Sequence, residues 1–390
     1  MTREAERLLQ QSGMEKPLAP RESQWKEFWH LLIRNRLALA GLFIFVLFFL
    51  IALGGLFLTS GTKPFFDPAV VRLEEKLRPP LSTPKSEILG SDRIPRLGLY
   101  LFGTDELGRD VFSRMMQGAW VSLTVGFVAV GIAVFIGIFL GGISGYYGQN
   151  AVRADQMLVM IVYLLGIGLL VAGVRATGIV LLALGATALV FFRWWKRKEG
   201  SRGASGWTKV LWARTISVDT LVMRFVDIML CFPSFFLILT VVALLPASLY
   251  NIMIVIGMTS WMGTTRFVRA EFLSLRDQDF VTAALALGVS NWRIIFRHMI
   301  PNAIAPVLVS ATIGIATAIL TEAGLSFLGL GVPPPHATWG NILSDGKNFI
   351  FDAPWLTFIP GVAILIVVLS FNLFGEGLRD ILNPRLRERS

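Results

Sequence analysis

Long apolar runs separated by short polar and basic segments constrain this chain more than any other feature of its sequence. The first run, residues 37–58, contains no charged side chain and is long enough to cross the hydrocarbon core of a bilayer as a helix. Because backbone groups in lipid must form their hydrogen bonds within the chain, repeated runs of this kind predict a bundle of transmembrane helices. The fold class that we expect is therefore an all-α polytopic membrane protein.

The composition supports a membrane protein and argues against one that binds nucleic acid. Hydrophobic residues make up 54% of the 390 residues and charged residues only 16%, which is too few to cover a soluble protein of this size. The net charge is +10, but the basic residues lie between the apolar runs and near both termini, as they do in the cytoplasmic loops of membrane proteins. We therefore expect a membrane lipid environment and no nucleic acid partner.

Eight spans satisfy the order of the apolar runs and the positions of the basic residues together. One long stretch, about residues 157–192, is interrupted by GVRATG and is interpreted as a helical hairpin of two spans. The remaining spans after the first are expected near residues 120–143, 225–245, 250–267, 303–321 and 355–374. Both termini are then cytoplasmic.

These spans divide the chain into seven segments. Just before the first span, Trp and Leu side chains recur at helical spacing with basic neighbours, which is typical of a helix at the membrane surface or of the cytoplasmic end of a span. The segments are 1–36, a cytoplasmic tail and interfacial helix; 37–58, the first span; 59–117, an extracytoplasmic loop; 118–148, the second span and the start of the core; 149–216, the hairpin and a linker; 217–376, the rest of the core with a cytoplasmic loop at 269–301; and 377–390, a cytoplasmic tail.

The cytoplasmic loop 269–301 carries the most informative pattern in the chain. Residues 280–287 are rich in Ala and Leu, which favours a helix, and Gly288 suits the left-handed residue that ends one. Ser290 can cap a second helix, and Pro301 is expected to stop or restart it. An apolar, small-residue elbow in the cytosol is either a knob that docks into a soluble motor or an amphipathic loop on the membrane. The residues alone do not separate these two interpretations.

The sequence TAALALGVSNWRIIFRHMIPN in this loop resembles the EAA loop of ATP-binding cassette importer permeases. The resemblance implies that the loop couples the permease to a separate ATPase. At the start of the pattern the family usually has an acidic side chain, which this chain lacks. Any contact that this charge would make is therefore absent. The matching positions are Ala283, Ala284, Gly288 and Pro301, whereas Thr282 replaces the usual Glu and His298 the usual Ile.

Other parts of the chain resemble the dipeptide and oligopeptide branch of this family, of the type that forms the second permease subunit. The resemblance implies a type I importer permease fold with six family spans, to which the hairpin at 149–216 adds two. Because an added pair of spans returns the chain to the same side, every later loop keeps its usual side. The similar segments are FGTDELGRDVFSRMMQGAWVSL, VMRFVDIMLCFP, EAGLSFLGLGVPPPHATWGNILSDG and FNLFGEGLRDILNPR.

The resemblance also implies a function, which is that of the transmembrane permease subunit of an ATP-driven peptide importer. Its partners would be a second homologous permease in a heterodimer, two cytoplasmic ATPase subunits and an extracytoplasmic substrate-binding protein. The chain has no GxxxxGK(S/T) sequence to hold nucleotide phosphates. We therefore expect a non-catalytic chain without a cofactor, with ATP and Mg bound by the ATPase subunits. Dipeptides, longer peptides, glutathione and nickel chelates remain open as cargo.

A few polar residues near the expected spans have two interpretations each. Glu322 lies near the outer end of its span, where it either faces the pathway or accepts hydrogen bonds that fix the following GLSFLGLG turn. Arg224 and Asp227 are expected to pair on one helix face. Asp105 and Asp110 would contact the binding protein or order the loop and cap the second span.

Two other classes of membrane protein remain alternatives. A membrane-embedded enzyme needs polar groups that converge at one depth, and the three separated His and single Cys of this chain have no metal-ligand spacing. A secondary transporter needs buried carboxylates or broken helices at mid-membrane, for which Glu322 alone is weak support. Loss of uptake on inactivation of a separate ATPase would exclude both classes.

Overall fold

Helices make up most of the described chain. The computed structural model describes residues 24–62, 64–85, 94–148, 151–153, 162, 179–188, 190–191 and 214–382. Within these ranges the regular strands are β1 (Ala151–Arg153) and β2 (Arg214–Ser217), which pair antiparallel. The helices are α1 (Gln24–Arg34), α2 (Arg36–Thr59), α3 (Val111–Tyr147), α4 (Ile179–Ala188), α5 (Val218–Leu230), α6 (Ser234–Leu244), α7 (Leu249–Arg276), α8 (Asp279–Ala286), α9 (Asn291–Phe327), α10 (Trp339–Gly346) and α11 (Trp355–Leu382), with 3₁₀ turns at Leu73–Glu75 and Lys347–Phe349.

Four of the described helices, α2, α3, α9 and α11, are long and apolar enough to cross a membrane. Together α5 and α6 would make a fifth crossing, but they bend by 77° at a break that contains Pro233. The predicted span 225–245 is thus a broken pair, because a proline without an N–H interrupts the helical hydrogen bonds. The predicted hairpin at 149–216 lies largely outside the described residues, so the count of eight spans stays a prediction.

The predicted span 250–267 lies within α7, which is helical throughout but is not among the helices apolar enough to cross on composition alone. Helix α3 packs against α7 and covers much of its surface. A Cβ at Gly141 of α3 would lie 2.6 Å from the carbonyl oxygen of Thr265, and a Cβ at Gly257 of α7 would lie 2.8 Å from that of Ala129. The glycines therefore let these two backbones approach closely, as the glycine-rich second span predicts.

Helix α3 begins before the apolar run that predicts the second span. The carboxylate of Asp110 caps the helix by accepting the backbone N–H groups of Phe112 and Ser113 at 3.3 and 3.1 Å, which is one of the roles expected for this residue. The first two turns also contain Arg114 and Gln117, both of which are buried. Because these side chains are polar, a search for apolar runs locates the span only from about residue 118.

The chain leaves the core after α3 and returns to it at the same place. Strands β1 and β2 pair with Ala151 opposite Ser217. The backbone N–H of Asp219 donates to the carbonyl of Gly148 at 3.2 Å, and Ser144 donates to the Asp219 carboxylate at 2.6 Å. The core is therefore closed across the root of the predicted insertion.

We predict that residues 152–216 can be replaced by the dipeptide Asn-Gly without loss of the core fold. Ala151 and Ser217 are a cross-strand pair of the kind that a two-residue hairpin loop joins. The shortened chain should stay in the membrane after alkaline extraction and should melt at the temperature of the full-length chain when both are purified in the same detergent.

A slightly longer deletion provides the control. Extending the replacement through Asp219 removes the carboxylate that Ser144 and Arg269 contact, and this variant should melt at a lower temperature. Aggregation or degradation of the shorter deletion would show that the replaced segment contributes to the stability of the core.

Candidate functional site

The elbow, residues 279–301, joins the end of α7 to the start of the spanning part of α9. Helix α7 ends at Arg276, α8 runs for two turns, and the chain turns back into α9. The elbow therefore sits between two long helices of the bundle, and we refer to this end of the bundle as the elbow end.

A glycine turn closes α8. Gly288 has φ +73°, in the left-handed region that only glycine adopts without strain. The N–H of Val289 donates to the carbonyl of Ala284 at 3.1 Å, and the N–H of Gly288 donates to that of Leu285 at 3.0 Å. These two bonds define a Schellman motif, which is the helix end that the sequence predicts at Gly288.

The inner face of the elbow is packed against the ends of α3 and α7. Val281 and Ile294 are fully buried in a cluster that includes Phe272 of α7. The hydroxyl of Tyr146, near the end of α3, donates to the side-chain oxygen of Asn291 at 2.9 Å. Because a packed interior deforms little, the elbow is held as one body with these two helix ends.

The opposite face of the elbow presents apolar side chains that the described chain does not cover. Leu287 is 82% exposed and Trp292 is 59% exposed. The rings of Trp292 and Phe296 contact each other with centroids 4.3 Å apart. Contiguous exposed apolar groups of this kind mark a surface that binds something apolar. Sequence analysis missed the aromatic pair, although its i, i+4 spacing at the start of a helix is a usable signal.

The residues predicted for ATPase coupling are divided between the two faces. Thr282 and Ala283 are exposed, whereas Ala284 is buried in the inner cluster. The hydroxyl of Thr282 donates to the carbonyl of Asp279 at 2.9 Å, so its one hydrogen-bond donor is used within α8. His298 is half-buried on the start of α9.

Pro301 lies where an α-helix restarts, which is one of the two roles predicted for it. A π-helical segment, Ile294–Met299, becomes α-helical at Ile300, with Pro301 in the first turn of the α-helical part. The change of hydrogen-bond pattern directly precedes the proline, whose missing N–H would otherwise interrupt an α-helix. Ser290 is the N-cap residue, but its side chain makes no capping bond.

Glu322 lies far from the elbow, about 20 residues further along α9 and so roughly 30 Å away. It is fully buried. Ser326 donates to one carboxylate oxygen at 2.7 Å and Ser122 of α3 to the other at 3.3 Å. Two hydroxyl groups, one from α3 and one from the end of α9, thus meet at one carboxylate, an arrangement that fixes the turn after α9.

A network of ion pairs links the loop before α3 to α10, at the end of the bundle away from the elbow. Arg114 Nη1 lies 2.5 Å from Asp105 and 2.9 Å from Asp345, and Arg109 contacts the same two carboxylates at 2.7 and 3.2 Å. Asp105 is completely buried and also accepts two backbone N–H groups of its own loop. The network therefore orders the loop and holds α10. Asp345 was missed because it lies 231 residues from Arg114 along the chain.

Burial also acts on two groups beside this network. It raises the pKa of Asp110, although hydrogen bonds from Ser113 and Phe112 oppose the shift. It raises the pKa of Tyr100 to about 12. Both shifts favour the protonated form of the side chain, because burial disfavours its charged form.

Two further polar contacts tie helices together at the elbow end. Asp227 pairs with Arg266 of α7 at 2.5 Å and not with Arg224, so the predicted pair on one helix is wrong. The carboxylate faces α7, which brings the longer-range partner closer than its own neighbour. Arg269 binds the Asp219 carboxylate, with its Nη2 at 2.6 Å, and this pair was not predicted. Within the described ranges, no group of three His, Cys, Asp or Glu residues could hold a metal ion.

Comparison with known proteins gives consistent similarities. Residues 210–388 match the family model described as binding-protein-dependent transport system inner membrane component. Residues 23–80 match the model of the N-terminal TM domain of oligopeptide transport permease C.

Three curated relatives match over nearly the full length. The dipeptide transport system permease protein of Alkalihalophilus pseudofirmus is 36% identical, with 94% of this chain and 91% of the relative covered. The oligopeptide transport system permease protein of Bacillus subtilis is 32% identical, with 94% and 91% covered. The di/tripeptide transport system permease protein of Pseudomonas aeruginosa is 32% identical, with 94% and 93% covered.

We predict that Glu322→Gln preserves peptide uptake and that Glu322→Leu lowers stability. Glutamine keeps an acceptor oxygen for the surrounding hydroxyls, whereas leucine leaves them without a partner at a cost of about 2–4 kcal/mol. The measurements are the melting temperature of the purified complex and the initial rate of uptake. The opposite result would be a glutamine variant that loses as much uptake as the leucine variant but melts at the wild-type temperature. That result would assign the charge of Glu322 a role in the pathway.

Proposed function

We propose, from the premise that this chain belongs to the family of binding-protein-dependent transport system inner membrane components, that it is the permease subunit of an ATP-driven importer of peptides. A second homologous permease would complete the translocation pathway. Two cytoplasmic ATPases would drive it, and an extracytoplasmic binding protein would deliver the peptide. The observation that carries the proposal is an elbow that is firmly packed inside and apolar outside.

The packing of the elbow is what a mechanical coupling requires. Its inner residues Val281 and Ile294 contact the end of α7, and Asn291 is bonded to α3 through Tyr146. A displacement of α8 by a docked ATPase would therefore move the ends of both helices, instead of being absorbed by a loose loop. The exposed Leu287 and Trp292 supply the apolar contact with the ATPase.

Docking of this elbow would depend on apolar contact more than on charge. At the position where the family usually has Glu, Thr282 carries no charge and bonds to its own helix. The groove on the partner ATPase should accordingly be apolar. Because no nucleotide-binding loop occurs in this sequence, ATP and Mg would bind the ATPase and not this chain, which would have no catalytic group and no cofactor of its own.

The proposal fixes the orientation in the membrane. The elbow and both termini would be cytoplasmic, and the ion-pair network around Asp105 would be extracytoplasmic. The six family spans would be α2, α3, the broken pair α5 and α6, α7, α9 and α11, in a type I importer permease fold. Helix α7 can cross despite its polar residues because α3 covers it. The segment 149–216 would add two spans, and the membrane would be the inner membrane of a bacterial cell.

The names of the relatives support short peptides as cargo. The three described above are permeases for dipeptides, di/tripeptides and oligopeptides. Uptake of a panel of peptides of increasing length by the reconstituted complex with its binding protein tests this assignment directly. The proposal fails if cargo moves with no ATPase subunit present.

We predict that Leu287→Glu uncouples ATP hydrolysis from uptake and leaves the permease folded. The side chain is 82% exposed, so the substitution costs the isolated chain little, but it places a charge in the apolar contact with the ATPase. Leu287→Met is the matched control and should retain uptake. Gly288→Asp should behave like Leu287→Glu. Gly288→Asn has the size of the aspartate variant without its charge and tolerates the same left-handed conformation, so it should retain most of the coupling.

Uptake and ATPase activity are measured in vesicles that contain the full complex. Co-purification of the ATPase with each variant reports docking separately from transport. Normal uptake with Leu287→Glu and Gly288→Asp would contradict the assignment of the elbow as the coupling site.

We also predict that the elbow is accessible only from the cytoplasmic side. Cys231 is the single cysteine, so Cys231→Ser gives a background without thiols. In that background, and in vesicles that lack the ATPase subunits, Leu287→Cys should react with a membrane-impermeant maleimide in inside-out vesicles and not in right-side-out vesicles. Phe351→Cys, at a residue 96% exposed in the loop between α10 and α11, should show the opposite pattern. Labelling of both variants from the same side would contradict the proposed orientation.

A further inference from the structure

Helix α1 is a separate element at one end of the first span. Asn35 between α1 and α2 has an extended backbone, and its side chain caps α2 by accepting the N–H of Ala38 at 3.1 Å. The two helices are therefore distinct, and α1 ends at Arg34, directly before the end of α2 that emerges from the hydrocarbon core. This position is that of a helix at the membrane surface.

One side of α1 is locked against the other end of the chain. Leu32 is 1% exposed and packs with Ala38 of α2 and with Ile381 in the last turn of α11. A Cβ at Gly41 would lie 2.7 Å from the backbone nitrogen of Phe374, so α2 and α11 are in close contact just beyond. These contacts fix the face that α1 turns away from the bundle.

The face that points away from the bundle carries an apolar stripe. Ile33, near the end of α1, is 62% exposed, and Leu37, in the first turn of α2, is 65% exposed. Further exposed apolar side chains follow along α2, at Phe43 and Leu50. Since α2 is apolar enough to cross the membrane, the stripe adjoins a surface that lies within the bilayer.

Two basic side chains flank this stripe at the level where α2 begins. Arg34 and Arg36 are both exposed, and neither forms an ion pair with a carboxylate of the described residues. At this depth their nearest counter-charges in a bilayer are lipid phosphates.

We propose that α1 and the start of α2 form a binding surface for anionic phospholipid. Trp29, Ile33 and Leu37 insert between the acyl chains, and Arg34 and Arg36 contact the negatively charged headgroups. Because Leu32 joins α1 to α11, lipid bound here stabilises the contact between the first and last helices of the bundle. The inference requires α2 to cross the membrane and does not depend on the cargo or on the ATPase.

Lipid-dependent thermal stability of the full-length chain in its complex tests the proposal. The delipidated complex in detergent is heated with added phosphatidylglycerol, with phosphatidylcholine, or with inorganic phosphate at the same concentration. Phosphatidylglycerol should raise the melting temperature most, because binding to the folded state stabilises it. The extra rise over phosphatidylcholine should disappear in 0.5 M salt, which screens exposed charges.

Substitutions test which residues bind the lipid. Arg34→Gln with Arg36→Gln should weaken phosphatidylglycerol binding by roughly 10- to 30-fold, as expected for two charges at a lipid surface, and should leave the effect of phosphatidylcholine unchanged. Arg224→Gln, which neutralises another exposed arginine at the elbow end, is the matched control and should bind as the wild type does. Ile33→Ser with Leu37→Ser should reduce the effect of both lipids.

Three results would overturn the proposal. The first is an equal rise in melting temperature with phosphatidylcholine and phosphatidylglycerol in the wild-type protein. This measurement does not depend on the folding of any variant. The second is the same rise with inorganic phosphate, which would show an anion site that does not require a membrane. The third is unchanged preference for phosphatidylglycerol in the double arginine variant.

Discussion

The close packing of α3 against α7 is the contact on which the rest of the structure depends. In lipid the hydrophobic effect does not press helices together, so two backbones approach only where the side chains between them are small. Gly141 of α3 and Gly257 of α7 provide this contact. The ends of the same two helices carry Tyr146 and Phe272, on which the elbow rests. The stiffness of the elbow is therefore a property of the helix pair beneath it.

The two ends of the bundle differ in the side chains that they bury and expose. At the end away from the elbow, charge is buried only with its partners. Asp105 shares Arg109 and Arg114 with Asp345, and Glu322 is surrounded by hydroxyl donors. An unpartnered charge in such a place would be strongly destabilising, so these networks fix one arrangement of loops and helix ends. The elbow instead leaves its contact surface apolar and uncovered, which suits a partner that binds from solution.

The sequence predicts the parts of this fold that rest on local patterns and misses those that rest on tertiary contacts. The first span and the glycine turn at Gly288 follow from composition and backbone conformation. The polar first turns of α3 do not, because Arg114 pairs with Asp345 of α10, 231 residues further along the chain. The partner of Asp227 is on another helix, so a rule for neighbours on one helix could not identify it. For the elbow, the pattern located the turn, but only the structure shows which of its side chains face outward.

The root of the segment 149–216 lies beside the base of the elbow. Asp219, just after the segment, binds Ser144 of α3 and Arg269 of α7, and Arg269 is less than one turn from Phe272. The N–H of Asp219 also bonds to the carbonyl of Gly148 across this root. The ion pair between Asp219 and Arg269, with the hydrogen bond from Ser144, therefore joins α3, α5 and α7 under the elbow at the point where the chain leaves the core and returns to it.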